Sequence, residues 1–426
     1  MTPCFKTPRN NHYFFGYYDK SPISLDNSKH LALEVSFINR LPGGNDIARI
    51  GYFDLVKNDG VFNELTITKT FNWQQGCMLQ WFGDKNKQII YNDLVDEKFV
   101  SIIFNLKTKN TIILPMAIYT LSSDSKFGLC IDNERHYWVR QGYSYDGIYN
   151  QEKNRNIVET DGIYLLDVGN KQIKRIINIV DVINNKPLSN MQNGTHYLEH
   201  IMISPNNQRF VFLHRWKTDD GGIYTRLYTA NIDGSDLYLL NDSGRMSHFC
   251  WKNNHKIFGW GGTQNLINQL RKYKNIVKVF INPLLPLYKK IVSVNAIDGG
   301  SKISSLVTGD SYILFNDKSP DTQQIPLDML NQDGHPSFCP INENWIVTDT
   351  YPDKFGMLQL ILFNIKTQKK IIIDKLKSIQ KYDNSPCRCD LHPKWSFDGG
   401  YISIDTMNDG VRGIYLYDVS GEVSER

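Results

Sequence analysis

The sequence lacks the features that would mark a secreted or membrane-spanning protein. Residues 1–20 contain no apolar signal-peptide core and no cleavage site. No run of about 18 apolar residues occurs, because lysines and prolines interrupt the longest candidate, residues 276–294. The seven cysteines are odd in number and have no paired CxxC spacing. We therefore expect a reduced, cytoplasmic protein without a transmembrane segment.

A strong excess of either charge is also absent. The chain has 48 basic and 44 acidic residues, a formal net charge of +4. This balance gives no reason to expect a nucleic-acid partner or an anionic membrane surface. Aromatic residues, by contrast, make up 12% of the chain and hydrophobic residues 41%. This composition favours β-strands around a substantial core and argues against disorder.

A repeated pattern of strand signals runs along the chain. A polar turn precedes an apolar-rich strand, and a hairpin, a strand ending in Asp or Asn, a second turn and a short strand follow. The spacing of about 45 to 65 residues is typical of propeller blades. The clearest copies begin at His200, His248, His335 and His392, and weaker copies span residues 21–71, 73–115 and 117–180.

This repeat predicts an all-β fold in one domain, residues 1–426: a seven-bladed β-propeller. Packing blades around a channel buries both faces of each sheet, and closing the ring protects the sheet edges. We expect residues 13–18 to complete the last blade. An open stack of β-sandwiches is the alternative. Residues 262–290 interrupt the fifth blade with apolar residues at helical spacing, which predicts a helical insertion. Such an insertion would either only pack against the ring or serve as a lid over a site or a contact to a partner.

Four of the ten histidines occupy the same phase of the repeat: His200, His248, His335 and His392. Equivalent positions of a propeller converge at one face, so these histidines are predicted to line one pocket. A structural role is the alternative for any single one. Two more histidines and an arginine accompany the strand at the first of these positions: His196, His214 and Arg215.

Further polar groups gather near the last repeat. Arg388, Asp390 and His392 alternate along the chain, and alternate residues of a strand share one face. Asp390 with two histidines would suit a divalent metal such as Mn²⁺ or Zn²⁺. Alternatively, Arg388 and Asp390 simply pair with each other. Candidate substrate contacts follow two of the other histidines: Asp349, Tyr351 and Trp260.

Several motifs occur in an order that resembles the oligogalacturonate lyase family. They are GYYDKSP at residues 16–22, HRW at 214–216, SHFCW at 247–251, HPSFCPINENWIVTDTYPD at 335–353 and CDLHPKWSFDGGYISIDT at 389–406. The family consists of seven-bladed propellers that cleave short uronic-acid oligosaccharides. The resemblance therefore implies a carbohydrate-active enzyme with an acidic oligosaccharide as its substrate, and we expect a bacterial protein.

The resemblance also implies roles for individual residues. His335 and His392 correspond to metal ligands, and Asp390 stands where the family has another histidine. The family's glutamine ligand has no counterpart, although Cys387 lies near its place. His248 corresponds to the base and Arg215 to the substrate arginine. The metal would be Mn²⁺, Zn²⁺ or Ca²⁺.

The implied reaction is β-elimination. The metal and an arginine neutralise the uronate carboxylate, which makes the C5 proton more acidic, and a histidine removes that proton. The predicted roles are catalysis for His248 and Arg215, metal binding for His335, Asp390 and His392, and substrate binding for His200, His214, Trp260, Asp349, Tyr351 and Arg388. Two alternatives remain: a non-catalytic propeller that binds a glycan or a protein, and another enzyme of surface-glycan metabolism.

Overall fold

The computed structural model describes residues 1–262 and 309–424. Their strands form seven four-stranded sheets, each a blade of strands paired antiparallel. The predicted all-β, seven-bladed β-propeller is therefore confirmed. The predicted helical insertion at residues 262–290 lies outside the described residues, except for Gly262, which ends a strand.

The chain divides into two compact units. The larger unit consists of Met1–Asn154, Ile163–Ile176 and His335–Arg426, and the smaller unit consists of Arg155–Gly162 and Ile177–Gly334. Neither unit has a described helix long and apolar enough to cross a membrane. The single domain spanning residues 1–426 stays a prediction.

The first part of the larger unit provides three blades and one additional strand. The additional strand is β1, Phe5–Lys6. The first blade comprises β2 His12–Phe14, β3 Lys29–Val35, β4 Ala48–Asp54 and β5 Phe62–Thr68. The second comprises β6 Gln80–Trp81, β7 Gln88–Val95, β8 Lys98–Asn105 and β9 Thr111–Leu114. The third comprises β10 Ile118–Leu121, β11 Phe127–Ile131, β12 Gly162–Asp167 and β13 Gln172–Asn178, with helix α1 Asn133–Val139 after β11.

The smaller unit contains the fourth and fifth blades. Helix α2, Ile179–Asn184, and a 3₁₀ turn, Ser189–Met191, lead into them. The fourth blade comprises β14 Thr195–Ile203, β15 Arg209–Lys217, β16 Ile223–Asn231 and β17 Tyr238–Gly244. The fifth comprises β18 Met246–Asn253, β19 Lys256–Gly262, β20 Asp310–Asn316 and β21 Thr322–Gln324.

The last two blades belong to the larger unit. The sixth comprises β22 Ser337–Cys339, β23 Asn342–Asp349, β24 Met357–Asn364 and β25 Lys370–Lys377, followed by a 3₁₀ turn, Gln380–Tyr382. The seventh comprises β26 Lys394–Trp395, β27 Tyr401–Thr406 and β28 Gly413–Asp418, with helix α3 Ser420–Val423 at its end.

The seventh blade takes its fourth strand from the N-terminus. Phe5 lies opposite Leu416, and Lys6 lies opposite Tyr415, so β1 pairs with β28. The prediction that residues 13–18 close this blade is wrong, because residues 12–14 form β2 and pair with β3 of the first blade. Strand β1 has only two residues, too few to show an alternating pattern in the sequence.

A buried serine explains the polar turn of the repeat. In four blades a serine hydroxyl accepts a hydrogen bond from the backbone N–H five residues later, where the next strand begins. The serine oxygen to amide distances are 3.0, 3.2, 3.0 and 2.9 Å for Ser24, Ser122, Ser204 and Ser396. This side-chain turn satisfies the backbone between the first two strands of a blade.

Burial differs systematically between the strands of a blade. The second strand is buried almost throughout, as in β3 and β27, whereas outer strands such as β5 and β25 alternate with exposed residues. Blade-on-blade packing buries both faces of the inner strands, which therefore show continuous hydrophobic runs. The candidate site residues lie on these inner strands or directly beside them.

Candidate active site

The three predicted metal ligands meet in the larger unit. His335, Asp390 and His392 are buried, and each offers a ligand atom within 4.8 Å of the other two. The two imidazole centroids are 4.3 Å apart, with the rings nearly perpendicular. Ligands on opposite sides of a cation with bonds of about 2.3–2.6 Å lie up to about 5 Å apart, so the group fits one divalent ion. No other described residues form such a cluster of His, Cys, Asp and Glu.

Asp349, at the end of β23, fixes the orientation of this group. Its carboxylate accepts hydrogen bonds from the backbone N–H of His335 at 2.7 Å and from Nδ1 of the same histidine at 2.9 Å. It also accepts the backbone N–H of His392 at 3.2 Å. A carboxylate behind a histidine sets its tautomer, so that Nε2 becomes the metal-binding nitrogen. The structure thus places Asp349 behind the ligands, and its predicted substrate contact stays a prediction.

Arg388 lies beside the group and is held from two sides. Its Nε donates to Asp390 at 2.8 and 3.1 Å, and its Nη2 donates to the Tyr143 hydroxyl at 3.0 Å. The Arg388 guanidinium lies 5.5 Å from the centre of the Tyr351 ring. Burial alone would lower the pKa of Arg388. Asp390 and the two tyrosines raise the pKa by more than burial lowers it, so the guanidinium stays charged. Asp390 therefore pairs with Arg388 and also faces the histidines.

The backbone around His392 is unusual. The residue has φ of 44°, in the left-handed region that non-glycine residues seldom occupy. Residues 388–393 form no strand, since β26 begins at Lys394, and the prediction of alternate strand positions is wrong. The side chains of Asp390 and His392 meet nevertheless. A left-handed residue costs on the order of 1–3 kcal/mol, and such strain is concentrated at functional sites.

Two tyrosines that were not predicted as site residues lie beside the histidines of this group. The Tyr17 ring lies 5.2 Å from that of His392, and the Tyr18 ring lies 5.4 Å from that of His335. Burial, with Tyr18 nearby, raises the pKa of Tyr17 well above its usual range. Gly16 precedes them with φ of 125°, and a Cβ there would lie 2.7 Å from the Gln75 carbonyl. The GYYD motif at residues 16–19 is the sequence feature that could have identified these tyrosines.

Gln75 is a second residue that the sequence interpretation missed. Its Nε2 donates to the Tyr119 hydroxyl at 2.7 Å, and its buried Oε1 has no hydrogen-bond partner in the part of the chain that is described. Burial is the main cause of the raised pKa of Tyr17, and Tyr119 contributes to it as well. Gln75 therefore presents a buried carbonyl oxygen in the same unit as the histidine group.

The smaller unit contains the predicted base and the predicted substrate arginine. Nδ1 of His248 lies 3.2 Å from Asp333 Oδ1 and 3.1 Å from the hydroxyl of Ser247. Arg215 Nε lies 2.7 Å from the buried carboxylate of Glu199. A carboxylate that holds Nδ1 of a histidine orients Nε2 for proton transfer. Asp333 and Glu199 were not predicted from the sequence.

His200 accompanies this group. It lies within β14 at a bulge, with φ of 52°, and its ring centroid is 6.0 Å from that of His248. Its Nε2 is 3.7 Å from Glu199. The four predicted histidines thus meet in two pairs, one in each unit, and convergence of all four stays a prediction.

His214 and Trp260, two predicted substrate contacts, lie in packed surroundings. His214 is fully buried in the fourth blade, where its Nε2 is 2.9 Å from Nδ1 of His196. The His196 Nε2 in turn donates to the Met191 carbonyl at 2.9 Å. Trp260 is 8% exposed and packs edge-on against Tyr312. Their contact with substrate stays a prediction.

Comparison with known proteins supports the fold. No family model and no curated protein matches the chain. An oligogalacturonate lyase from Vibrio parahaemolyticus is similar in structure, with a TM-score of 0.60 and 12% identity over 98% of this chain and 93% of that chain. A prolyl endopeptidase has a TM-score of 0.50 and 9% identity over 96% of this chain and 48% of its own. TolB from Acinetobacter baumannii has a TM-score of 0.38 and 13% identity, over 81% of this chain and 63% of its own. At 12% identity the similarity to the lyase shows a shared propeller fold alone.

Proposed function

We propose that this protein is a metal-assisted lyase that cleaves a uronic-acid-containing glycan by β-elimination. The observation that carries the proposal is the buried group of His335, Asp390 and His392 with the guanidinium of Arg388 beside it. Two imidazoles and a carboxylate are suitable ligands for Mn²⁺ or Zn²⁺, and Ca²⁺ is a third candidate. A divalent ion bound there would supply Lewis-acid polarisation of a uronate carboxylate.

Arg388 is the proposed partner of that carboxylate. Its Nε and Nη2 are engaged by Asp390 and Tyr143, which fixes the plane of the guanidinium. The group has five N–H donors in a fork that matches a carboxylate, so a rigid guanidinium can still bind an anionic sugar. Tyr351, with its ring against the guanidinium and against His335, is proposed to contact the same sugar.

His248 and Arg215 of the smaller unit are the proposed catalytic residues. Asp333 holds Nδ1 of His248, so Nε2 would take the C5 proton of the uronate. The C5–H electron pair then forms the C4=C5 double bond, the C4–O bond breaks, and the departing oxygen takes a proton from water. Arg215, held by Glu199, is proposed to bind the substrate.

The new double bond provides the test. The purified protein is incubated with uronic-acid oligosaccharides and with Mn²⁺, Zn²⁺ or Ca²⁺, and the ultraviolet absorbance of the unsaturated product is followed. We expect absorbance to rise with at least one metal and one oligosaccharide. If a broad panel shows no rise although metal analysis finds the ion bound, the protein is not a uronate lyase.

The Arg388–Asp390 ion pair favours a second candidate function. A carboxylate that is already neutralised by an arginine needs no cation, and a propeller can bind a glycan without cleaving it. This candidate predicts that no metal co-purifies and that His335→Ala leaves glycan binding intact. Metal analysis of the purified protein with this variant distinguishes the two functions.

A further inference from the structure

A cavity of about 210 Å³ lies within the smaller unit. We call it the smaller-unit cavity. It has the space of about seven water molecules, each of which takes about 30 Å³ in the liquid. This size suits one sugar ring. The residues that matter for its chemistry are Arg245, Met246, Ser247, Trp260, Asp310 and Asp333.

One part of the wall is aromatic and apolar. The Trp260 indole packs edge-on against Tyr312, with ring centroids 5.1 Å apart, and is held in place by that contact. The side chains of Ile223 and Met246 also line the cavity. An indole beside aliphatic groups suits the C–H face of a sugar ring, which is apolar although its rim is polar.

The rest of the wall carries charge and hydroxyl groups. Arg245 Nε donates to both oxygens of Asp310, at 2.7 and 3.0 Å, and its Nη2 also contacts that carboxylate. Asp333 is the second carboxylate. One guanidinium against two carboxylates leaves one net negative charge among the lining residues. Such a wall repels an anionic ring, whereas carboxylate oxygens accept hydrogen bonds from sugar hydroxyls.

From this chemistry we infer that the smaller-unit cavity binds one uncharged sugar ring. Asp333 and Ser247 line the cavity and also contact Nδ1 of His248, so the ring would lie next to the groups that orient this histidine. That the ring and the cleaved uronate belong to one glycan rests on the proposed function, whereas sugar binding in the cavity does not. The substrate would then contain uncharged sugars as well as uronates.

Single sugar rings test the cavity without turnover, because they contain no glycosidic bond at C4 that could break. The Arg215→Ala, Arg388→Ala double variant, which lacks both arginines proposed to bind the uronate elsewhere, is titrated, with ligand-detected NMR, against methyl glycosides in matched pairs: glucose with glucuronate, galactose with galacturonate, and N-acetylglucosamine with glucosamine. At least one uncharged ring should bind about ten-fold or more tightly than its uronate partner, because like charges in contact are strongly unfavourable.

Asp310→Asn is the diagnostic variant. It removes one negative charge and takes from Arg245 its ion-pair partner, so uronate affinity should rise and the preference for the uncharged ring should shrink or reverse. Asp328→Asn is the matched control, because Asp328 is exposed and is not a lining residue. It should leave the preference unchanged. If Asp310→Asn does not fold, as judged by thermal unfolding, Asp333→Asn tests the same loss of charge.

Three results would overturn the inference. They are equal binding of the uronate and its uncharged partner, tightest binding of glucosamine, which would indicate a cation site, and no binding of any ring. Binding of an uncharged ring by a protein that shows no lyase activity would leave the cavity inference intact and contradict the proposed function. Lyase activity without sugar binding in the cavity would support the proposed function and contradict the cavity inference.

Discussion

Each unit of the molecule brings together two of the histidines predicted from the repeat, but the two pairs have different surroundings. In the larger unit the ring centroids of His335 and His392 lie 4.3 Å apart, and an Asp390 carboxylate oxygen lies within 4.8 Å of a ring nitrogen of each. In the smaller unit His200 and His248 lie 6.0 Å apart, and no third ligand completes a metal group among the described residues. The same phase of the repeat therefore places histidines in two different surroundings.

The carboxylates account for this difference. Asp349 accepts hydrogen bonds from the backbone N–H groups of His335 and His392 and from Nδ1 of His335. These bonds hold the two histidines next to each other. In the smaller unit Glu199 is 2.7 Å from Arg215 but 3.7 Å from His200, while Asp333 Oδ1 lies 3.2 Å from Nδ1 of His248. One arrangement gathers three candidate metal ligands, and the other places a carboxylate against a single imidazole.

The largest expected effect is that of His335→Ala. Loss of an imidazole ligand should reduce metal affinity by at least about 100-fold, since even the partners of ligands contribute 10- to 100-fold. Metal content after dialysis and the rise in product absorbance should both fall to background. His255→Ala, at an exposed histidine, is the control and should change neither. Full metal content in His335→Ala would show that the larger-unit group is not a metal site.

Asp349→Asn should act in the same direction with a smaller effect. The amide keeps the shape of the side chain but can no longer pair with a charged or strongly polarised imidazole, so metal affinity should fall about 10- to 100-fold. Metal titration of the apoprotein measures this change. Because Asp349 also accepts two backbone N–H groups, a thermal unfolding curve must accompany the titration. Unchanged affinity in a stably folded variant would rule out an orienting role.

Asp333→Asn provides the opposite test in the smaller unit. Metal content should stay at the wild-type level, whereas kcat should fall about 10- to 100-fold because Nε2 of His248 loses its orientation; general-base catalysis as a whole contributes about 10²–10⁴-fold. If Asp333→Asn loses metal, the two histidine groups are not chemically distinct.

Sequence reasoning recovered the fold and the clustering of His335, Asp390 and His392 for a physical reason. The repeated Ser turn and the inner hydrophobic strands are local patterns, and His335 and His392 stand at the same phase of the repeat that these patterns define, whereas Asp390 was selected for a strand alternation that the structure does not have. Glu199, Asp333 and Gln75 could not be selected in this way, because their roles depend on which side chain they face. Strand β1 was missed since two residues carry no periodicity. The charges that surround a histidine are set by the tertiary structure, and they are what separates the two groups.

The smallest expected effect concerns the pH dependence of stability, and it arises from a third histidine pair, His196 and His214. The His196 Nε2 donates to a carbonyl, so its Nδ1 accepts from Nε2 of His214, and Nδ1 of His214 carries no proton. That nitrogen is buried and has no hydrogen-bond partner among the described residues. Burial, the neighbouring histidine and Arg226 hold the pKa of His214 well below its usual range, and burial also lowers the pKa of His196.

The sign of the effect follows from the protons that each state binds. Below about pH 6.5 the unfolded chain protonates these histidines while the folded chain keeps them neutral, so the free energy of unfolding falls as pH falls. We expect the urea midpoint to drop between pH 7.5 and pH 5, and to drop less in His214→Asn, which lacks one of the two titrating groups. Other buried histidines contribute equally to both proteins, His30 among them with its pKa lowered to about 3 by burial and Lys394, and therefore cancel in the difference. An identical pH slope in wild type and variant would mean that His214 titrates in the folded protein as it does in the unfolded chain, which would contradict a neutral, buried His196–His214 pair.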